Sequence, residues 1–195
     1  MFTGIIQDLG SIKLLKNGLY EIVTNLDLTD CIDGSSISCN GVCLTAKNIK
    51  KNYDNSFSFQ VNIGEETLIR TNLGKNISTN EKINLEKSLK IGDEIGGHFV
   101  YGHIDCVTCL NEIKKLDNSW EFNFEKNFGE RNKFISEKAS ISINGISLTI
   151  ANVLNNSFNI SVIEHTFNNT NLKYLKKADN VNIEFDYLAR FVFQK

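Results

Sequence analysis

Two phrases of the chain carry most of its potential chemistry. Asn40-Gly41-Val42-Cys43-Leu44-Thr45-Ala46 and Asn144-Gly145-Ile146-Ser147-Leu148-Thr149-Ile150 repeat one pattern, with Cys43 in the first where Ser147 stands in the second. A strand of period two after each Asn-Gly turn puts Cys43 and Thr45 on one face and Leu44 and Ala46 on the other. Ser147 and Thr149 share a face in the same way, opposite Leu148 and Ile150. Each copy thus offers a small nucleophile-capable group beside a hydroxyl. Two readings stay open: edge polarity around a turn, or a rim that exchanges hydrogen bonds with a polar heterocycle or sugar chain.

A second stretch, GGHFVYGHID at 96–105, holds two of the three histidines, His98 and His103, among three glycines. Histidine is the side chain best suited to proton transfer near neutral pH, and glycine lets backbone approach a ligand closely. His98, His103, Cys106 and Cys109 have the look of a metal cluster. On a strand, however, Cys106 and Cys109 point to opposite faces, CVTC contains no turn residue, and a second anchor is missing. The expectation is therefore no metal. No P-loop and no G-x-G-x-x-G is present. Arg70, in EETLIRTNLG, reads as a solvated residue on a strand.

The elements that must position these residues come in two sets. FTGII at 2–6 faces YGHID at 101–105, and NGVCLTA faces NGISLTI. EETLIRTNL at 65–73 faces EHTFNNTNL at 164–172, and INLE at 83–86 faces VNIE at 181–184. The order is kept and the offset stays between 98 and 104 residues, which marks an internal duplication. Most segments alternate or are rich in β-branched and aromatic residues, punctuated by Asn, Gly, Asp and Ser, so each repeat reads as an antiparallel barrel or sandwich. Helices are expected only near 26–31, 128–134 and 187–194. The halves divide in SLKIGDEIGG at 88–97.

Composition narrows the function classes. With 195 residues, the chain suits two domains of about 100 residues each. A formal net charge of -2 and scattered basic residues argue against nucleic acid and an anionic membrane. No apolar run approaches the roughly 18 residues of a membrane span, and MFTGIIQDLG does not read as a signal peptide, so the expected location is cytoplasmic. Five cysteines suggest free thiols rather than a disulfide framework. Proline is absent, and the abundant Asn is read as a compositional bias that lets Asn and Gly serve the turns.

MFTGII, NGVCLTA, EETLIRTNLG, LEKSLKIGDEIGGHFVYGHID, NGISLTI, HTFNNTNL and VNIEFD, in that order, resemble riboflavin synthase of the alpha-subunit type. The resemblance implies an all-β fold: two tandem six-stranded antiparallel Greek-key barrels and a short C-terminal helix. Expected bounds are 1–92, 93–186 and 187–195. It implies a transferase that converts two molecules of 6,7-dimethyl-8-ribityllumazine into riboflavin and 5-amino-6-ribitylamino-uracil by moving a four-carbon unit, with no cofactor and no metal. A homotrimer is implied, with sites between the N-terminal barrel of one subunit and the C-terminal barrel of its neighbour; whether the chain associates with lumazine synthase is left open by the sequence. A non-catalytic lumazine- or flavin-binding antenna protein is the alternative.

Carried over by motif, Thr3, Gly4, Cys43, Thr45, Glu66 and Thr67 would line the N-terminal pocket. Gly102, His103, Ser147, Thr149, His165, Thr166 and Asp186 would line the C-terminal one. Cys43, His103 and Ser147 are the implied catalytic residues, with His103 and Ser147 together assisting methyl deprotonation or water handling on one substrate and Cys43 near the ring carbon of the other, as a transient nucleophile or a polar contact. The threonines would bond ring edges and Glu66 the ribityl hydroxyls. The chain departs from the family at Tyr101, Asn144, Glu164 and Lys173. Its tail is short: nine residues follow Asp186, a helix of about 13 Å at most.

Overall fold

The structure is a computed structural model that describes residues 1–74 and 81–193. Its first half contains β1 (Asp8–Lys16), β2 (Leu19–Thr24), β3 (Ser36–Cys39), β4 (Val42–Thr45), β5 (Lys47–Lys51), β6 (Phe57–Asn62), helix α1 (Glu65–Arg70) and β7 (Glu81–Lys87). The second repeats the series with β8 (Cys106–Lys115), β9 (Ser119–Glu125), β10 (Ser140–Ile143), β11 (Ile146–Val153), β12 (Ser157–Ile163), helix α2 (Glu164–Asn169) and β13 (Asn180–Phe185), followed by helix α3 (Tyr187–Phe193).

The second half is a closed barrel in the order β10-β11-β12-β9-β8-β13, every pairing antiparallel. The first is a seven-stranded sheet in the order β4-β3-β7-β1-β2-β6-β5. Its two edge strands, β4 and β5, are consecutive in the chain and broken only at Ala46, where the second half runs on as β11. The curled sheet is therefore the same six-strand circuit with one strand bent in two.

Alternation along the strands builds a separate core in each half. Ile12, Ile22, Phe59, Val61 and Leu85 fill the first, and Phe122, Phe124, Phe158, Ile160 and Phe185 the second. At about 25 cal/mol per Å² of apolar surface removed from water, these interiors are the main stabilising term of each half.

Two local expectations need correcting. Residues 26–31 form no helix, only a turn in which Cys31 N–H donates to the Leu28 carbonyl, whereas the helix expected at 128–134 is present as a 3-10 helix over Gly129–Phe134. Arg70 lies on helix α1, not a strand, and pairs with Glu66 one turn back at 2.9 Å. The six-residue helices α1 and α2 escape a periodicity reading because neither has a fully buried residue and so neither shows an apolar stripe. The last two residues of the expected 187–195 helix lie outside the described residues.

The abundant asparagine does more than make turns. Asn40 and Asn144 take left-handed conformations, with φ of 49° and 48°, and the Asn-Gly turns they open meet back to back. A Cβ on Gly41 would stand 2.7 Å from the Gly145 nitrogen, and one on Gly145 the same distance from the Gly41 nitrogen. Around this contact the Asn40 Oδ1 accepts from Asn84 N–H at 2.8 Å, and the Asn144 Oδ1 accepts from Asn182 N–H at 2.8 Å. Asn84 Nδ2 then donates across to the Asn144 carbonyl at 2.9 Å, and Asn182 Nδ2 to the Asn40 carbonyl at 2.8 Å. Asn171 joins the first set and Asn72 the second. The halves are thus joined by a buried amide network with local twofold symmetry, and a buried amide needs such partners to offset its lost hydration.

Candidate functional site

Two residues beyond each Asn-Gly turn stands a rim residue. Cys43 on β4 is half-buried and Thr45 exposed, while Leu44 and Ala46 are in the core. Ser147 on β11 is half-buried and Thr149 exposed, while Leu148 and Ile150 are inside. The period-two strand is the cause in both.

Each rim is covered by a backbone strap that leads into the other half. The Gly4 carbonyl accepts from Ser147 N–H at 2.8 Å, and the Gly102 carbonyl accepts from Cys43 N–H at 3.0 Å. Both glycines have positive φ, 76° and 81°. A Cβ on Gly4 would lie 2.5 Å from the Ser147 nitrogen, and one on Gly102 2.4 Å from the Cys43 Cβ, so only glycine fits. Grouping Gly4 with Cys43 and Gly102 with Ser147, as the motifs suggested, is replaced by this crossed arrangement. Thr3 is buried, and its hydroxyl donates to Glu86.

The imidazole bonded to Ser147 is that of His98, not His103. His98 Nδ1 and Ser147 Oγ stand 2.6 Å apart. Burial holds the His98 pKa below the usual histidine value, opposed by the Asp186 carboxylate, which favours the neutral ring. Asp186 is half-buried ahead of α3 and accepts from Leu188 N–H. His103 is exposed at the first rim's strap, its ring 6.4 Å from that of Tyr101, and its N–H donates to Glu184 at 3.0 Å.

The remaining implied binding residues ride on the two short helices. Glu66 and Thr67 are on α1, the first exposed and the second half-buried. His165 and Thr166 hold the same places on α2, and Asn169 Nδ2 donates to the His165 carbonyl at 2.8 Å. Cavities of about 390 and 490 Å³ lie on the asparagine seam and beneath Thr3 and Glu86, and neither is lined by Cys43 or Ser147.

Two buried carboxylates, Glu86 and Glu184, escape a reading by motif. Each ends an anchor of the duplication, INLE and VNIE, so a charge at the end of a strand that otherwise faces a core is the available signal. Desolvation raises both, Glu184 to about 7.

This arrangement, two like barrels with like rims about one seam, is that of a tandem ligand-binding protein. Residues 3–88 and 101–186 each match the lumazine binding domain family. The chain is 40% identical to riboflavin synthase of Brucella abortus (strain 2308), over 98% of this chain and 96% of that protein. It is 37% identical to that of Actinobacillus pleuropneumoniae, over 100% and 89%. With that of Saccharomyces cerevisiae (strain ATCC 204508 / S288c) the identity is 36%, over 98% and 84%. The chain belongs to the riboflavin synthase family. Its fold is shared by solved structures of LumP complexed with riboflavin (TM-score 0.78, 22% identity, 95% of this chain and 99% of that one) and with 6,7-dimethyl-8-(1'-D-ribityl) lumazine (TM-score 0.77, 23% identity, the same coverage).

Proposed function

We infer that this chain is a riboflavin synthase. It takes two molecules of 6,7-dimethyl-8-ribityllumazine and moves a four-carbon unit from one to the other, giving riboflavin and 5-amino-6-ribitylamino-uracil. The observation that carries the reading is the hydrogen bond between Ser147 and His98 on a rim whose twin presents Cys43. The ring system of the substrate delocalises the carbanion left when its C7 methyl loses a proton. A neutral imidazole relayed through a hydroxyl is suited to accept that proton, a contribution of about 10²–10⁴ in rate. His103, exposed near Tyr101, is left to handle water or the ring edge at the Cys43 rim. Two related rims suit a reaction between two copies of one molecule. Holding both converts a bimolecular encounter into an intramolecular one, worth up to about 7–11 kcal/mol.

Thr45, Thr67, Thr149 and Thr166 are assigned to ring edges and Glu66 to ribityl hydroxyls. The rims are open surfaces in the single chain, which supports completion of each site by a neighbouring subunit. A homotrimer is the assembly we assign, supported by the exposed Leu188, Phe191 and Val192 of α3. We place the barrel boundary between residues 92 and 93, since β7 ends at Lys87 and β8 begins at Cys106. No helix among the described residues is long and apolar enough to cross a membrane. All five cysteines are free, which favours the cytoplasm.

The test is incubation with 6,7-dimethyl-8-ribityllumazine alone. Riboflavin absorbance and yellow-green fluorescence should appear. Tight binding without spectral conversion would make the chain a binding protein instead.

A further inference from the structure

Glu86 and Glu184 are each 2% exposed, and neither forms an ion pair among the described residues. A buried carboxylate without a cationic partner is costly unless hydrogen bonds compensate it. Here backbone N–H groups do so. Glu86, on β7, accepts from Thr3 N–H at 2.7 Å and its hydroxyl at 2.9 Å through Oε1, and from Gly4 N–H at 2.9 Å through Oε2. Glu184, on β13, accepts from Tyr101 N–H at 2.6 Å through Oε1, and from Gly102 and His103 N–H at 2.9 and 3.0 Å through Oε2. Each glutamate holds the strap that enters its own barrel.

The straps do not end there. Phe2 and Val100 exchange backbone hydrogen bonds at 2.7 and 3.0 Å, so the two segments run side by side between the barrels. Beyond this pair each strap delivers its glycine carbonyl to the rim of the opposite barrel. The glycines touch the rim residues with no room for a methyl group, so a strap that shifts must move its rim residue.

We propose that Glu86 and Glu184 are crossed positioning residues: Glu86 of the first barrel sets Ser147 of the second through Gly4, and Glu184 of the second sets Cys43 of the first through Gly102. Neither glutamate touches the side chain it places. Each rim is therefore built by both halves of the duplication, and damage to one barrel's glutamate is read at the other barrel's rim. The catalytic part of the proposal rests on the reading of Cys43 and Ser147 as reacting-site residues. The placement itself does not.

The experiment measures amide hydrogen exchange at Cys43 and Ser147 by NMR on the full chain, in Glu86→Gln and Glu184→Gln, alongside kcat and KM for the lumazine. Glu184→Gln should speed exchange at Cys43 by about tenfold and leave Ser147 unchanged, and Glu86→Gln should do the reverse. Both should lower kcat more than they raise KM. Thr3→Val, which removes only one donor from the Glu86 cluster, provides a milder variant should Glu86→Gln fold poorly, and it should speed exchange at Ser147 alone. Equal acceleration at both rims, acceleration only at the rim of the mutated barrel, or none at all would overturn the crossed placement. Crossed exchange with kcat unchanged would overturn its role in the reaction. Exchange needs no turnover, so a chain that fails to convert the lumazine still reports on the placement.

Discussion

At the Cys43 rim a glycine carbonyl meets a backbone N–H, and the same contact recurs at the Ser147 rim. There the likeness stops. Ser147 Oγ is bonded to His98, which lies on the segment joining the barrels, whereas the exposed His103 next to Gly102 is bonded through its backbone N–H. The cores differ too. Phe124–Phe158 and Phe128–Phe185 ring contacts, at 5.6 and 5.3 Å, pack the second barrel, and the first is mainly aliphatic. Duplication has preserved the hydrogen-bonded frame that places a side chain, while the side chains placed there have diverged. Symmetry therefore accounts for position, and a single imidazole, bonded to Ser147 and without a counterpart on Cys43 among the described residues, is what tells the two rims apart.

The largest test of that contrast compares His98→Ala with Cys43→Ala. The first should lower riboflavin formation by about 10²–10⁴-fold, with binding of riboflavin retained. Cys43→Ala should lower turnover by a smaller factor, also without matching loss of binding. Equal losses would mean that the rims are chemically equivalent despite their different partners.

A second contrast is between the two glutamates. The folded-state pKa of Glu184 stands at about 7 against an ordinary glutamate value of 4.5, because burial outweighs its three N–H donors. The folded chain then holds a proton that the unfolded chain has released, so the stability from this group is greatest at low pH and is lost as pH rises through 7. The change is on the order of 3 kcal/mol at most. Urea midpoints measured from pH 5 to 8 should therefore show a falling component that Glu184→Gln removes. For Glu86 the hydrogen bonds from Thr3 and Gly4, and to a lesser degree the N-terminal charge, pull against burial, and its Gln variant should flatten the profile less.

The smallest contrast concerns the seam. Asn84→Ala removes three hydrogen bonds and strands buried Asn171, and should cost about 1–3 kcal/mol in urea unfolding. Asn182→Ala removes bonds to the Asn40 carbonyl and to the part-buried Asn72, two bonds rather than three, and should cost less. Equal costs would mean that the seam is as symmetric in energy as in form.

Much of this was legible in the residues. The duplication, the antiparallel strands of each half, and the outward Cys43/Thr45 and Ser147/Thr149 pairs follow from alternation and from repeated anchors, while the choice of barrel over sandwich came from the family resemblance. Helices α1 and α2 were not legible, since six residues on a surface leave no apolar period. Nor was the asparagine seam, because an Asn in a turn and an Asn donating across a domain contact look alike in a sequence. The pairing of Ser147 with His98 rather than His103 was hidden for the same reason: both histidines are far from Ser147 in the chain, and only the path of the strap chooses between them.

Local chain chemistry is enough to say which side chains face outward at each rim, because alternation and the Asn-Gly turn act over a few residues of backbone. The repeated anchors are enough to say that there are two rims. Which strap covers which rim, and which imidazole reaches Ser147, is settled in three dimensions. Those contacts join residues such as Gly4 and Ser147, far apart in the chain, and they form only when two separately packed cores meet across the seam.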